Sequence, residues 1–74
     1  MRSIHSAPYQ RFLERLRQAR QDAGMTQAEV GLRLGVRQSF VSKVESGERR
    51  LDPVELAQFA AVYGKPLEWF LCLD

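Results

Sequence analysis

A chain of 74 residues, 45% of them hydrophobic and 27% charged, is long enough for one small domain with its own core and no more. The single cysteine, Cys72, excludes an internal disulfide and a cysteine-based zinc site. The single histidine, His5, stands far along the chain from Cys72, so the sequence gives no sign of a Cys–His nucleophile pair. Net charge is only +2, yet residues 1–50 hold ten Lys/Arg against five Asp/Glu and residues 51–74 one against four. These parts carry +5 and −3, so the first suits a polyanion and the second does not.

Residues 1–8 are expected to be a tail and residues 9–74 the domain. The opening MRSIHSAPYQRF lacks the apolar stretch of a signal peptide. No apolar run approaches the ~20 residues of a membrane span, so a cytoplasmic location without membrane contact is the expectation. The first helix is predicted from about Pro8 to Ala23, with Phe12, Leu16, Ala19 and Ala23 on its inner face. A second begins after Thr26, whose hydroxyl forms a capping box with Glu29, and turns Val30 and Leu34 inward. The third runs from Gln38 to Ser46 around Val41 and Val44. A fourth opens on Asp52, Pro53 and Glu55, which combine an N-cap, a first-turn proline and a capping-box acid, and buries Leu56, Phe59, Ala60 and Tyr63. The fifth is short, starting at Pro66 with Leu67, Trp69, Phe70 and Leu71. Gly24, Gly35, Gly47 and Gly64 each follow one of these segments, where a left-handed residue ends a helix at low steric cost. No alternating β-branched run suggests a strand, and the fold class is all-α. Cys72 is expected to act as a small apolar residue.

The link between the second and third helices is only Gly35, Val36 and Arg37, short enough to force a steep crossing of the helix-turn-helix kind. The remaining glycine, Gly31, sits inside the second helix, where it costs ~1 kcal/mol relative to alanine. Close approach of the two backbones explains that cost, with Val30, Leu34, Val36, Val41 and Val44 as the apolar set between them. Arg37 is an odd helix opener, because it offers no oxygen to the orphan N–H groups and sets positive charge against the positive end of the dipole.

The run TQAEVGLRLGVRQSFVSKVESGERRLD resembles the Cro/phage-repressor type of helix-turn-helix regulator, the XRE family, and the five-helix pattern from about residue 9 to 71 agrees with a compact lambda-repressor-like domain. The resemblance implies a sequence-specific double-stranded-DNA-binding transcriptional regulator, a repressor by preference. Its third helix would lie in the major groove with Arg37, Gln38, Ser39, Ser42 and Lys43 at the base edges. Side-chain chemistry supports two of these independently, since arginine can bond guanine and glutamine adenine in bidentate fashion. Gln27 matches a position that bonds a backbone phosphate, and Ser46, Arg49 and Arg50 would grip the backbone beyond the third helix. Arg20 and Glu45 match a structural salt bridge. Family members often carry Ser or Thr where Arg37 stands, so this chain departs from the pattern there.

Phe40 is expected to pack beside the second helix, with a thymine methyl or sugar as the alternative. Arg15, Arg17 and Arg33 are expected to be solvated. The tail, carrying Arg2 and His5, has a DNA-reaching arm as its alternative.

One such helix reads few base pairs, so a homodimer on a two-fold operator is expected, joined through Leu67, Trp69, Phe70, Leu71 and Leu73. A further protein partner is possible on these grounds, and no cofactor, metal or catalytic residue is implied. An antitoxin or restriction-modification controller with the same fold is the alternative biological role. A helical protein-interaction module without DNA contact is the alternative from another class.

Overall fold

The computed structural model describes residues 6–72, which form five helices: α1 (Ala7–Asp22), α2 (Gln27–Leu34), α3 (Gln38–Ser46), α4 (Pro53–Tyr63) and α5 (Leu67–Phe70). The predicted capping chemistry is present. Thr26 and Asp52 each accept a hydrogen bond from the N–H three residues on and receive the reciprocal Glu29 and Glu55 carboxylates. The first helix starts one residue earlier than expected, because the Ser6 hydroxyl accepts from the Tyr9 N–H and Pro8 occupies the first turn. Of the expected tail, Ser6–Pro8 therefore belong to the cap and first turn of α1, and residues 1–5 lie outside the described residues.

The core collects Phe12, Leu13, Leu16 and Ala19 from α1, Val30 from α2, Val41 and Val44 from α3, Leu56, Phe59, Ala60 and Tyr63 from α4, and Phe70 from α5. Two positions on α1 differ from expectation. Ala23 is exposed because the helix ends before it, and Leu13 is buried because the inner stripe spans more than a single i, i+4 row. That broader stripe brings Arg17 and Arg20, one and two turns after Leu13, to the edge facing α3. Leu34 is only partly buried, and Val36, expected between the helices, is 36% exposed.

What Val36 contributes to the crossing is backbone. Its N–H donates to the Gly31 carbonyl at 2.9 Å, and its own carbonyl oxygen lies 2.7 Å from where a Cβ on Gly31 would stand. The Gln38 nitrogen would lie at 3.3 Å from the same Cβ. Gly35, with φ 73°, then reverses the chain in the left-handed region. These two glycines let α3 begin hard against the middle of α2. Replacing Gly31 with alanine should therefore destabilise the fold by ~1–3 kcal/mol through overpacking against backbone that cannot swing aside, despite alanine's better helix propensity. Chemical denaturation measures this directly; a more stable Gly31→Ala variant would contradict the close approach.

Candidate nucleic-acid interface

With Val41 and Val44 facing inward, the outer face of α3 presents Gln38, Ser39, Ser42 and Lys43, all exposed. Arg37 precedes them in extended conformation, φ −74° and ψ 154°, exposed and without a side-chain cap hydrogen bond. Among the described residues, neither Arg37 nor Lys43 enters an ion pair. The five candidate base-reading residues are thus brought together on one surface at the helix N-terminus, and positive charge stands at both ends of it.

Beneath that surface lies a polar cluster centred on Glu45, only 3% exposed and the one buried charged residue among those described. Arg20 meets its carboxylate in fork geometry, Nε to Oε2 at 2.7 Å and Nη2 to Oε1 at 3.0 Å, so the expected salt bridge is present. The hydrogen bond to Glu45 holds the Arg20 guanidinium still further above its already high ordinary value. Arg20 also donates to the Met25 carbonyl at 3.1 Å, which ties the α1–α2 turn into the cluster.

Two further members were not foreseen. Arg17, expected to be solvated, donates to the Glu45 main-chain carbonyl at 2.7 Å, and so neutralises the negative end of α3. Gln27 donates from Nε2 to Glu45 Oε1 at 3.0 Å and accepts from Gln38 Nε2 at 3.3 Å. Its amide therefore sits between the buried carboxylate and the first residue of α3, with one N–H left over for an anion at the α2 N-terminus. The only available signal was the i, i+3 spacing of Arg17 and Arg20 on an otherwise apolar edge.

Behind α3 the cations are less open than expected. Arg49 forms a bidentate pair with Glu55, at 3.0 and 2.9 Å, donates to the Arg50 carbonyl, and lies 4.5 Å over the Phe40 ring. This pairing lowers the Glu55 carboxyl below the ordinary carboxylate range, first through Arg49 and then through the Asp52 N–H. Arg50 lies 4.6 Å over Tyr9, and Ser46 donates its hydroxyl to the Lys43 carbonyl. Phe40, partly buried against the core, stacks on Phe59 of α4, 6.4 Å between centroids, with Arg49 on top. The Arg49–Glu55 clasp ties the loop after α3 to the start of α4 beside this stack.

The α5 residues separate into two groups. Phe70 is fully buried in the core, which removes it from the expected dimer contact. Trp69 is half-buried, flanked by the Lys65 ammonium at 4.3 Å and the Arg15 guanidinium at 4.8 Å, so Arg15 is not simply solvated. Leu67 and Leu71 stand 44% and 54% exposed, and Leu73 lies outside the described residues. Leu71 borders an apolar groove of about 400 Å³ lined also by Tyr9, Phe12, Leu51, Pro53 and Leu56. Sequence patterning could not reveal this groove, which joins three separated segments. Cys72 is exposed rather than packed, and no cluster that could hold a metal ion occurs among the described residues.

A carboxylate so enclosed cannot lose or be lost without cost. Glu45→Ala strands Arg20 and Gln27 and should lower stability by ~3–5 kcal/mol, a large share of what so small a domain has. Thermal melting measures it; an unchanged melting temperature would remove the cluster's structural role.

Comparison with known proteins agrees with this geometry. A family model described as helix-turn-helix matches residues 16–70, which spans α2, α3, their crossing, and the Arg17, Arg20 and Glu45 positions that hold it. No curated protein matches the chain. The match covers well over half of the sequence, and the chain belongs to the XRE-type helix-turn-helix family of Cro and the phage repressors, a family of DNA-binding regulatory domains.

Proposed function

We propose that the protein is a sequence-specific transcriptional regulator that binds two-fold operators as a homodimer, with α3 in the major groove. The observation that carries this is the exposed row Arg37, Gln38, Ser39, Ser42 and Lys43, seated on a buried polar cluster that gives it a fixed attitude. Base specificity rests on Gln38 against adenine and on Arg37 or Lys43 against guanine, each good bidentate pair being worth ~1–3 kcal/mol of discrimination. Gln27 lends its spare N–H to a phosphate, as helix N-termini favour anions. Ser46, Arg49 and Arg50 border the same face; Arg49 approaches phosphate with its charge partly matched by Glu55.

A dimer follows from the small footprint of one helix, with half-sites one helical turn apart, ~34–36 Å. Leu67 and Leu71 are exposed and Leu71 borders an apolar groove, so these two, with the half-buried Trp69, supply surface for it; Leu73, which follows in the sequence, lies outside the described residues. Occupying an operator excludes other proteins from it, which makes repression the direct output. A cytoplasmic location fits such a role, and no helix among the described residues is long and apolar enough to cross a membrane.

Arg37 carries the sharpest consequence. A serine there can accept the hydrogen bond that arginine cannot, so Arg37→Ser should stabilise the free protein by ~1 kcal/mol while weakening or altering DNA binding. Denaturation and duplex titration together check it; if neither changes, Arg37 is an ordinary surface residue. Binding of the unaltered protein to duplex DNA should weaken steeply with salt, with a logarithmic slope of roughly −0.9 for each phosphate neutralised. A flat salt response would exclude the DNA function.

A further inference from the structure

We propose that Glu55 is a specificity-determining residue for DNA: by holding Arg49 in one place, it confines the arginine's phosphate contact to the register in which α3 is seated on its operator. This rests on the phosphate contact of Arg49 proposed above.

An exposed arginine is long and mobile, and a phosphate recurs along each strand every ~3.4 Å of helix rise. A free arginine tip finds a phosphate wherever the protein sits, and such a contact strengthens binding to every sequence alike. The Arg49 side chain is 42% exposed, yet it is not free. Its main-chain N–H donates to the Lys43 carbonyl at 3.1 Å, and its guanidinium lies 4.5 Å over the Phe40 ring, so α3 holds it through two of its residues. Phe40 in turn stacks on the buried Phe59. The Arg50 carbonyl accepts from Nη1 at 2.9 Å, and the Glu55 carboxylate takes Nη1 and Nη2 at 3.0 and 2.9 Å.

Glu55 is itself anchored, because its Oε1 accepts the Asp52 N–H of the capping box at 3.0 Å. The clasp therefore runs from α3 through Arg49 to the first turn of α4, and the guanidinium keeps a fixed place relative to Gln38 and Lys43. The bonds to Arg50 and Glu55 use three of its five N–H groups. Among the described residues the other two, on Nε and Nη2, have no acceptor. They leave one edge of the plane side by side, the fork that matches two phosphate oxygens. A phosphate can meet that edge only at one position with respect to α3. The Glu55 charge also offsets the pull of Arg49 on phosphates lying elsewhere.

The readout is affinity as a function of salt, for an operator duplex selected from random sequence and for a duplex of unrelated sequence. Glu55→Gln keeps a residue type that serves in a capping box, so the melting temperature should stay nearly unchanged. Binding to the unrelated duplex should strengthen by about two- to fivefold, the range of an exposed ion pair, and operator affinity should change less. The salt slope for the unrelated duplex should steepen by roughly 0.9, one added phosphate. Arg49→Gln alone should weaken operator binding and leave the unrelated duplex nearly unaffected. With Arg49→Gln in place, Glu55→Gln should alter neither affinity, because its effect runs through the arginine.

An equal change on both duplexes in Glu55→Gln, or a change on neither, overturns the inference, as does an effect that persists without Arg49. If Glu55→Gln does not fold, Arg49→Gln decides alone, and equal weakening on both duplexes overturns the inference. Operator binding untouched by Arg49→Gln overturns the phosphate contact, and the inference with it, while the DNA function stands. A protein that binds neither duplex overturns the function itself.

Discussion

The hydrogen bonds that converge on Glu45 join three helices at one buried point. Arg20 reaches it from α1, Gln27 from the start of α2, and Arg17 closes the helix end on which the carboxylate rides. A carboxylate taken out of water is unfavourable unless every lone pair is met, and removing one partner leaves the others stranded. The constraint is therefore mutual: α3 can hold its place only where all of these donors arrive together. A purely apolar contact between Val41, Val44 and the core would tolerate small rotations of α3 about its axis. The charge cluster does not, and a rotation of that kind would turn Gln38 and Lys43 away from their common face.

Steric constraint at the other end of α3 complements this polar one. Gly31 lets the Val36 carbonyl approach the middle of α2, which sets the crossing and places Gln38 beside Gln27. Arg37, between the two constraints, breaks a local rule of helix capping that Ser6, Thr26 and Asp52 all obey. Local rules are broken where another requirement prevails. An uncapped helix N-terminus with a long cation beside it leaves backbone N–H groups and a guanidinium open to an incoming polyanion, at the place where α3 is presented.

The fold was largely legible in the sequence because its signals are local. Capping boxes at Thr26 and Asp52, glycines after each helix and a mid-helix Gly31 each report on a few neighbouring residues. The boundaries of α3 and the joint before it follow from such signals. What escaped depends on contacts between distant segments. Arg17 and Arg15 look like solvent-facing charges until α3 and Trp69 are placed beside them. The stacking of Phe40 on Phe59 under Arg49 has no local signal either. Phe70 and Leu71 are adjacent in sequence and opposite in burial, a distinction that a four-residue helix cannot encode through periodicity. At the candidate interface, the family resemblance named the row on α3 and side-chain chemistry supported Arg37 and Gln38 within it, while the hydrogen bonds beneath it needed coordinates.

The central claim is that the face from Arg37 to Lys43 meets duplex DNA while the cluster below keeps it in place. Amide chemical-shift mapping of the isotopically labelled protein, titrated with a duplex enriched from random sequence, tests this most directly. Shifts concentrated at residues 37–43 and at Gln27, with the core amides of α1 and α4 left unmoved, are the expected result. Enrichment of no sequence, or shifts confined to α5 and the groove beside Leu71, would contradict it.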